Sequence, residues 1–95
     1  MKKTIKLDQE IRIVNLNSIW EKILPELKKA REKNNLCKID LSKVEKLDGA
    51  GMQTILFLNS LTEEFPQNFE ISGISDIILS KMETLGCRPA EREVK

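Results

Sequence analysis

The chain has 95 residues, a mass of 10.9 kDa and a net charge of +1, from 16 Lys and Arg against 15 Asp and Glu. This length predicts one domain with a single core. The absence of His excludes histidine-dependent catalysis and most zinc sites, and the near-neutral charge with no Tyr and one Trp argues against a nucleic-acid-binding surface.

The ends and the apolar runs of the chain predict a cytoplasmic protein. The basic start, MKKTIKLD, is followed by alternating polar residues and not by the apolar segment of a signal peptide. The longest uninterrupted apolar run, Ile55–Leu58, is far shorter than a membrane span. Cys37 and Cys87 form neither a CxxC motif nor a disulfide framework, which favours two small buried thiols in a reducing compartment.

The N-terminal residues predict two short strands. Apolar and polar residues alternate over 4–7 and again over 11–13, which is the period of a half-buried strand. The polar residues 8–10 between them are suited to a turn.

The first helix is predicted from a cap and an apolar stripe. Ser18 and Glu21 have the S-x-x-E spacing of a capping box, and Asn17 is an alternative N-cap. An apolar stripe with helical spacing follows: Ile19, Ile23, Leu27 and Ala30. Pro25 predicts either a kink in this helix or a new start after Leu24.

The second half of the chain predicts two further strands and two helices. The strands are 37–41 and 69–72, which again alternate. A helix over 50–65 separates them, and Pro66 ends it.

A last helix is predicted over 76–85. Ser75 or Asp76 is its N-cap, and Gly86 fits the left-handed position after its end.

The order ββαβαβα predicts an α/β fold with a mixed, mostly parallel sheet of four to five strands. The strands alternate instead of being apolar throughout, so we expect the helices to pack mainly on one face of the sheet. Residues 1–87 are expected to form a single domain, and the charged residues 88–95 a flexible tail.

The segment 37–53 is the most informative part of the sequence. A strand ends near Leu41, a loop follows, and a helix begins at Asp48, which is a good N-cap residue. Gly49, Ala50 and Gly51 are small, so a partner could approach the first-turn amides closely. The alternative is that the glycines only permit a tight turn and close helix–sheet packing.

The stretch IDLSKVEKLDGAGMQTILFL, from Ile39 to Leu58, resembles the signature of the STAS family of anti-sigma factor antagonists and sulfate-transporter domains. Its most specific part is Asp40-Leu41-Ser42 followed by Asp48 and Gly51. The resemblance implies a STAS fold and a non-enzymatic regulatory or adaptor protein. Its partner would be an anti-sigma factor of the serine-kinase type or a signalling ATPase.

The LDGAGMQTILFL part is similar to the small STAS proteins of lipid-transport ABC complexes and chemotaxis-type systems. An alternative function is therefore that of an ABC-complex subunit that binds the transport ATPase.

In the family, phosphorylation of a Ser or Thr at the start of the second helix breaks the partner complex. Gly49 and Ala50 stand at those positions and cannot accept phosphate. The nearest hydroxyls, on Ser42 and Thr54, lie outside the usual phosphosite. The sequence therefore predicts a partner-binding protein without the phosphorylation switch.

The expected partner-binding residues form the loop and the start of the second helix. On a helical wheel Met52 and Leu56 lie opposite the core face, so they either pack on a neighbouring element or form an apolar contact strip. The full set is Asp48, Gly49, Ala50, Gly51, Met52, Gln53 and Leu56. Asp40 and Ser42 are expected to have a structural role next to this site.

No catalytic residue, metal site or cofactor is expected. A single carboxylate, Asp40, lacks the second acid and the lysine of a phosphotransfer site, and Cys37 opens its strand instead of following it. We expect a monomer or a weak dimer in the free state, with no nucleic-acid partner and no membrane insertion.

Overall fold

In a computed structural model of the protein, which describes residues 2–90, strands and helices alternate along the chain. The result is a mixed α/β structure in which these residues form three α-helices. In chain order the elements are β1 (Lys2–Lys6), β2 (Glu10–Ile11), a 3-10 helix (Ile13–Asn15), α1 (Leu16–Lys33), β3 (Leu36–Asp40), β4 (Lys46–Leu47), α2 (Gly49–Glu64), β5 (Phe69–Ser72) and α3 (Asp76–Thr84).

The strands form two parallel sheets. One has the order β1-β3-β5, and the other pairs β2 with β4. The expectation of one sheet with four to five strands therefore needs correction, because the described strands are divided between two sheets. The sequence did not indicate β4, since two residues are too few to show an alternation. The second strand is also shorter than predicted, because Ile13 begins the 3-10 helix.

One face of the larger sheet is buried and the other is open. The register places Ile5, Ile39 and Ile71 side by side, and all three are buried in the core that the helices share. Neighbouring residues of a strand point to opposite faces. The open face therefore carries side chains that are exposed or half-buried: Thr4, Lys38 and Glu70. Burial of each isoleucine stabilises the fold by about 1.5–3 kcal/mol, so this row anchors the sheet under the helices.

The first helix begins earlier than the sequence indicated. It starts at Leu16 because the 3-10 helix leads directly into it, and Ser18 lies inside the first turn and not at a cap. The predicted capping box at Ser18 and the alternative cap Asn17 are both wrong. Asn15 occupies the N-cap position, and its Oδ1 accepts a hydrogen bond from the Arg12 amide at 2.8 Å. The helix is continuous through Pro25, without a new start after Leu24.

The end of α1 is held by a buried asparagine from the loop before β5. Asn34 has a left-handed φ of 51° and closes the helix. Asn68 is fully buried, and its Nδ2 donates to the carbonyls of Ala30 at 3.3 Å and Asn35 at 3.1 Å. Its Oδ1 accepts from the Arg31 guanidinium at 3.3 Å. One side chain thereby adds hydrogen bonds to the last turn of α1, where the Ala30 carbonyl also accepts from the Asn35 amide at 2.9 Å.

The other two helices agree with their predicted bounds. α2 ends at Glu64, just before Pro66, and Ser75 is the N-cap of α3 through its side chain. Gly86 follows α3 with a left-handed φ of 75°, as its position predicted.

The predicted flexible tail is only partly described. Arg88 and Ala90 are hydrogen-bonded to the side chain of Asn59 on α2, at 2.9 Å and 2.7 Å. The start of the tail is therefore attached to the fold, and the rest of it, 91–95, lies outside the described residues.

Candidate functional site

Asp48 joins the start of α2 to the N-terminal part of the chain. Its Oδ1 accepts a hydrogen bond from the Gly51 amide at 2.9 Å, which makes Asp48 the N-cap of α2. Its Oδ2 accepts a second from the Ile13 amide, also at 2.9 Å. The Ile13 amide and then the Gly51 amide hold the pKa of Asp48 below its ordinary value, since both favour the ionised carboxylate. One side chain therefore fixes the 3-10 helix against the first turn of α2.

The two glycines of this turn have different roles. A Cβ on Gly51 would overlap the carbonyl oxygen of Ile11 and would lie 2.9 Å from its carbonyl carbon, so the backbone of β2 packs directly on this residue. A Cβ on Gly49 would meet nothing within 4 Å. Close packing therefore explains Gly51, whereas Gly49 is an open surface position at the helix N-terminus.

Two aliphatic side chains are exposed beside Asp48. Ile13 is 68% exposed and Val14 is 86% exposed, on the 3-10 helix whose first amide Asp48 holds. The sequence interpretation missed them because it placed Ile13 in a strand. The adjacent pair Ile13-Val14 was an available signal, since two neighbouring strand residues cannot both face the core.

A groove of about 540 Å³ runs from the start of α2 to α3. Asp48, Gly49 and Gln53 contribute to the α2 wall. Lys81 and Leu85 contribute to the α3 wall, and Leu85 is 54% exposed. The groove thus combines one acid, one base and an exposed leucine.

The exposed stripe of α2 differs from the one that the helical wheel suggested. Met52 is buried and Leu56 is half-buried, whereas Gln53 and Phe57 are exposed. The helical wheel assumed that α2 is buried along one arc of its surface. The helix is buried more widely, because it contacts β2, β4 and α3 as well as β5. The burial of Met52 therefore favours the alternative in which it packs on neighbouring elements. The exposed surface at Gly49 continues through Gln53, and Ala50 is half-buried.

The remaining candidate side chains have local structural contacts. Asp40 Oδ1 accepts a hydrogen bond from the Ser42 amide at 2.9 Å, and this contact is the main cause of its lowered pKa. Ser42 is exposed. Thr54 is buried and its hydroxyl donates to the Ala50 carbonyl at 3.1 Å. A kinase could therefore reach Ser42 but not Thr54 in the folded protein.

Cys37 is buried, whereas Cys87 is half-buried, so the expectation of two buried thiols holds only for the first. Burial is the main factor that raises the pKa of Cys37 to about 11.

Metal-binding clusters and membrane-spanning helices are absent from the described part of the chain. Within residues 2–90, no cluster of three or more Cys, Asp or Glu side chains is arranged to hold a metal ion. No helix in that range has both the length and the apolar content to cross a bilayer. Neither a protein-family model nor a curated protein nor a solved structure matches the chain.

The candidate site is therefore the N-terminus of α2, with the exposed aliphatic residues of the 3-10 helix on one side and the groove to α3 on the other. We call this surface, made up of Ile13, Val14, Asp48, Gly49, Gln53 and the groove to α3, the Asp48 surface. It combines exposed aliphatic side chains with exposed polar ones.

Proposed function

We propose that this protein is a non-enzymatic regulatory or adaptor protein that binds a protein partner through the Asp48 surface. The observation that carries the proposal is the exposure of Ile13 and Val14 on a segment that the Asp48 carboxylate holds against α2. Complete burial of a valine or isoleucine side chain contributes about 1.5–3 kcal/mol. Two such anchors on a fixed segment would bind with little loss of conformational entropy.

The resemblance to the STAS family supports the class of partner. In that family the start of the second helix meets a kinase-fold anti-sigma factor or another signalling ATPase, and Asp48 stands at that start here. The α/β order with a mostly parallel sheet is compatible with a STAS fold. We therefore propose a partner of the kinase-fold or signalling-ATPase type.

The proposed complex lacks the phosphorylation switch of the family. Gly49 and Ala50 carry no hydroxyl, and Thr54 is buried. Binding would then be controlled by the amounts of the two proteins and by the state of the partner. Gly49→Glu should mimic the missing phosphate, because it places a negative charge at an open position of the same surface.

Affinity capture with matched baits tests the proposal. The baits are the wild type, Val14→Asp, Gly49→Glu and the control Ser60→Asp, which changes an exposed α2 residue outside the Asp48 surface. We expect a kinase-fold or signalling ATPase to be captured by the wild type and the control and to be lost with the two surface variants.

Mass spectrometry of the captured proteins separates the alternatives. If an ABC-type transport ATPase is captured by the wild type and the control but not by the two surface variants, the Asp48 surface is supported as the binding site. The function would then be that of a subunit of a transport complex. Capture that is equal for all four baits would contradict the proposed site.

A further inference from the structure

A second apolar patch lies where α1 meets α2, at residues outside the Asp48 surface. Trp20 on α1 and Phe57 on α2 make an edge-to-face contact with their ring centroids 5.5 Å apart. Phe57 is 48% exposed and Leu24, one turn after Trp20, is 44% exposed. A shallow groove of about 490 Å³ on α1 is lined by Trp20, Leu24 and Pro25, with Asn17, Glu21 and Lys28 at its ends.

Two opposite charges of this patch lie symmetrically about its centre. Glu21 and Lys28 are exposed and lie on either side of the Leu24–Pro25 step, two helical turns or about 10 Å apart. Within residues 2–90 the single salt bridge joins Lys22 to Asp8, so neither Glu21 nor Lys28 has an ion-pair partner there. A two-fold axis through the Leu24–Pro25 step would place each Glu21 opposite Lys28 of a second copy.

We propose that this face, made up of Trp20, Glu21, Leu24, Lys28 and Phe57, binds a second copy of the same chain with the two α1 helices antiparallel. The α1 face is then self-complementary, as an isologous dimer requires. The same axis brings Asn17 opposite Glu32, which adds an amide donor to a carboxylate. Leu24 packs against Pro25 of the second copy at the centre of the interface.

Pro25 contributes to the same geometry. It lies inside α1 and has no amide hydrogen, so it leaves the Glu21 carbonyl without its usual donor four residues later. In the dimer the Lys28 ammonium of the second copy comes to the Glu21 position, where it meets this carbonyl as well as the carboxylate.

Other occupants fit the charges less well. On this face Glu21 and Glu32 are balanced by Lys28 and Arg31, so an anionic membrane surface or an acidic peptide would gain no net attraction there. The edge of β1, which carries Lys3 and Lys6, is a poor place for strand pairing between copies, because an antiparallel β1 pair brings like charges together. The α1 face is therefore the surface that best fits a second copy.

Sedimentation equilibrium between about 5 µM and 1 mM tests the proposal. The patch is small compared with standard interfaces, so we expect a dissociation constant of about 10–100 µM. Glu21→Lys and Lys28→Glu should each weaken the dimer about tenfold, because each puts like charges opposite each other twice. Leu24→Lys should abolish it. The matched control is Glu83→Lys, which reverses an exposed charge on α3, outside the proposed face.

The decisive step is to mix the two weakened variants. In a heterodimer of Glu21→Lys with Lys28→Glu, both charge pairs are attractive again, so the mixture should dimerise about as well as the wild type. Trp20 is the only tryptophan in the chain, and its emission should shift to the blue on mixing. Monomeric behaviour of the wild type up to 1 mM, or a dimer that both charge reversals leave unchanged, or a mixture no tighter than its components, would overturn the proposal.

Discussion

The two glycines at the start of α2 allow a matched test of how the site is built. Gly49 and Gly51 differ by two positions in the same helical turn, and alanine favours a helix over glycine at either position. The structure nevertheless predicts opposite effects for Gly49→Ala and Gly51→Ala on the free energy of unfolding.

Gly51→Ala should be strongly destabilising. The new Cβ would overlap the Ile11 carbonyl oxygen and would lie 3.0 Å from the Leu47 Cβ, so the first turn of α2 must move away from β2. Overpacking of this kind costs about 1–3 kcal/mol, and backbone atoms cannot rotate away as a side chain can, so we expect about 3 kcal/mol. For a chain of this size that loss corresponds to a fall in Tm of roughly 12–24 °C.

Gly49→Ala should be stabilising. Its Cβ meets open space, and the substitution reduces the conformational freedom of the unfolded chain, so we expect a gain of about 0.5 kcal/mol. Urea unfolding followed by circular dichroism measures both variants against the wild type. Equal effects of the two substitutions, or a Gly51→Ala variant as stable as the wild type, would refute the close approach of α2 to β2.

Three further predictions concern individual side chains. Asp48→Ala should lower the urea midpoint at pH 7, and the difference from the wild type should shrink at pH 2.5. Folding lowers the pKa of Asp48, so the ionised carboxylate stabilises the folded state fully above the ordinary aspartate pKa. This stabilisation is lost as the pH falls through the pKa that Asp48 has in the folded protein. Asn68→Ala should lower the free energy of unfolding by about 3 kcal/mol, because it removes the hydrogen bonds that a fully buried side chain makes to the end of α1. An effect under about 1 kcal/mol by the same measurement would argue that water replaces the side chain. In the native protein at pH 8, iodoacetamide should modify Cys87 well before Cys37, whose pKa is about 11; peptide mapping that found equal labelling would contradict the buried position of Cys37.

Much of the element order could be read from local sequence patterns. The apolar periods located α2, α3, β3 and β5, and the N-cap Ser75 and the left-handed Gly86 followed from residue chemistry that acts within a few positions. Such features are predictable because both partners of each interaction are close in the sequence.

The features that the sequence did not predict depend on distant partners. Ser18 has the spacing of a capping box, but α1 starts at Leu16, directly after a 3-10 helix whose Ile13 amide donates to the distant Asp48 carboxylate. Met52 is buried because α2 has neighbours on more sides than a single core arc allows. The second hydrogen bond of Asp48 joins it to a residue 35 positions away, and this contact is what brings the exposed Ile13 to the site.

The most direct test of the central claim is to map the bound partner on the isotope-labelled protein by amide chemical-shift changes. The captured and purified partner is titrated into the labelled chain, with Val14→Asp as the comparison. The account predicts that the largest changes fall on residues 13–14, 48–53 and 80–85 and disappear in the variant. Changes confined to the open sheet face, around Lys38 and Glu70, would contradict a partner site at the Asp48 surface.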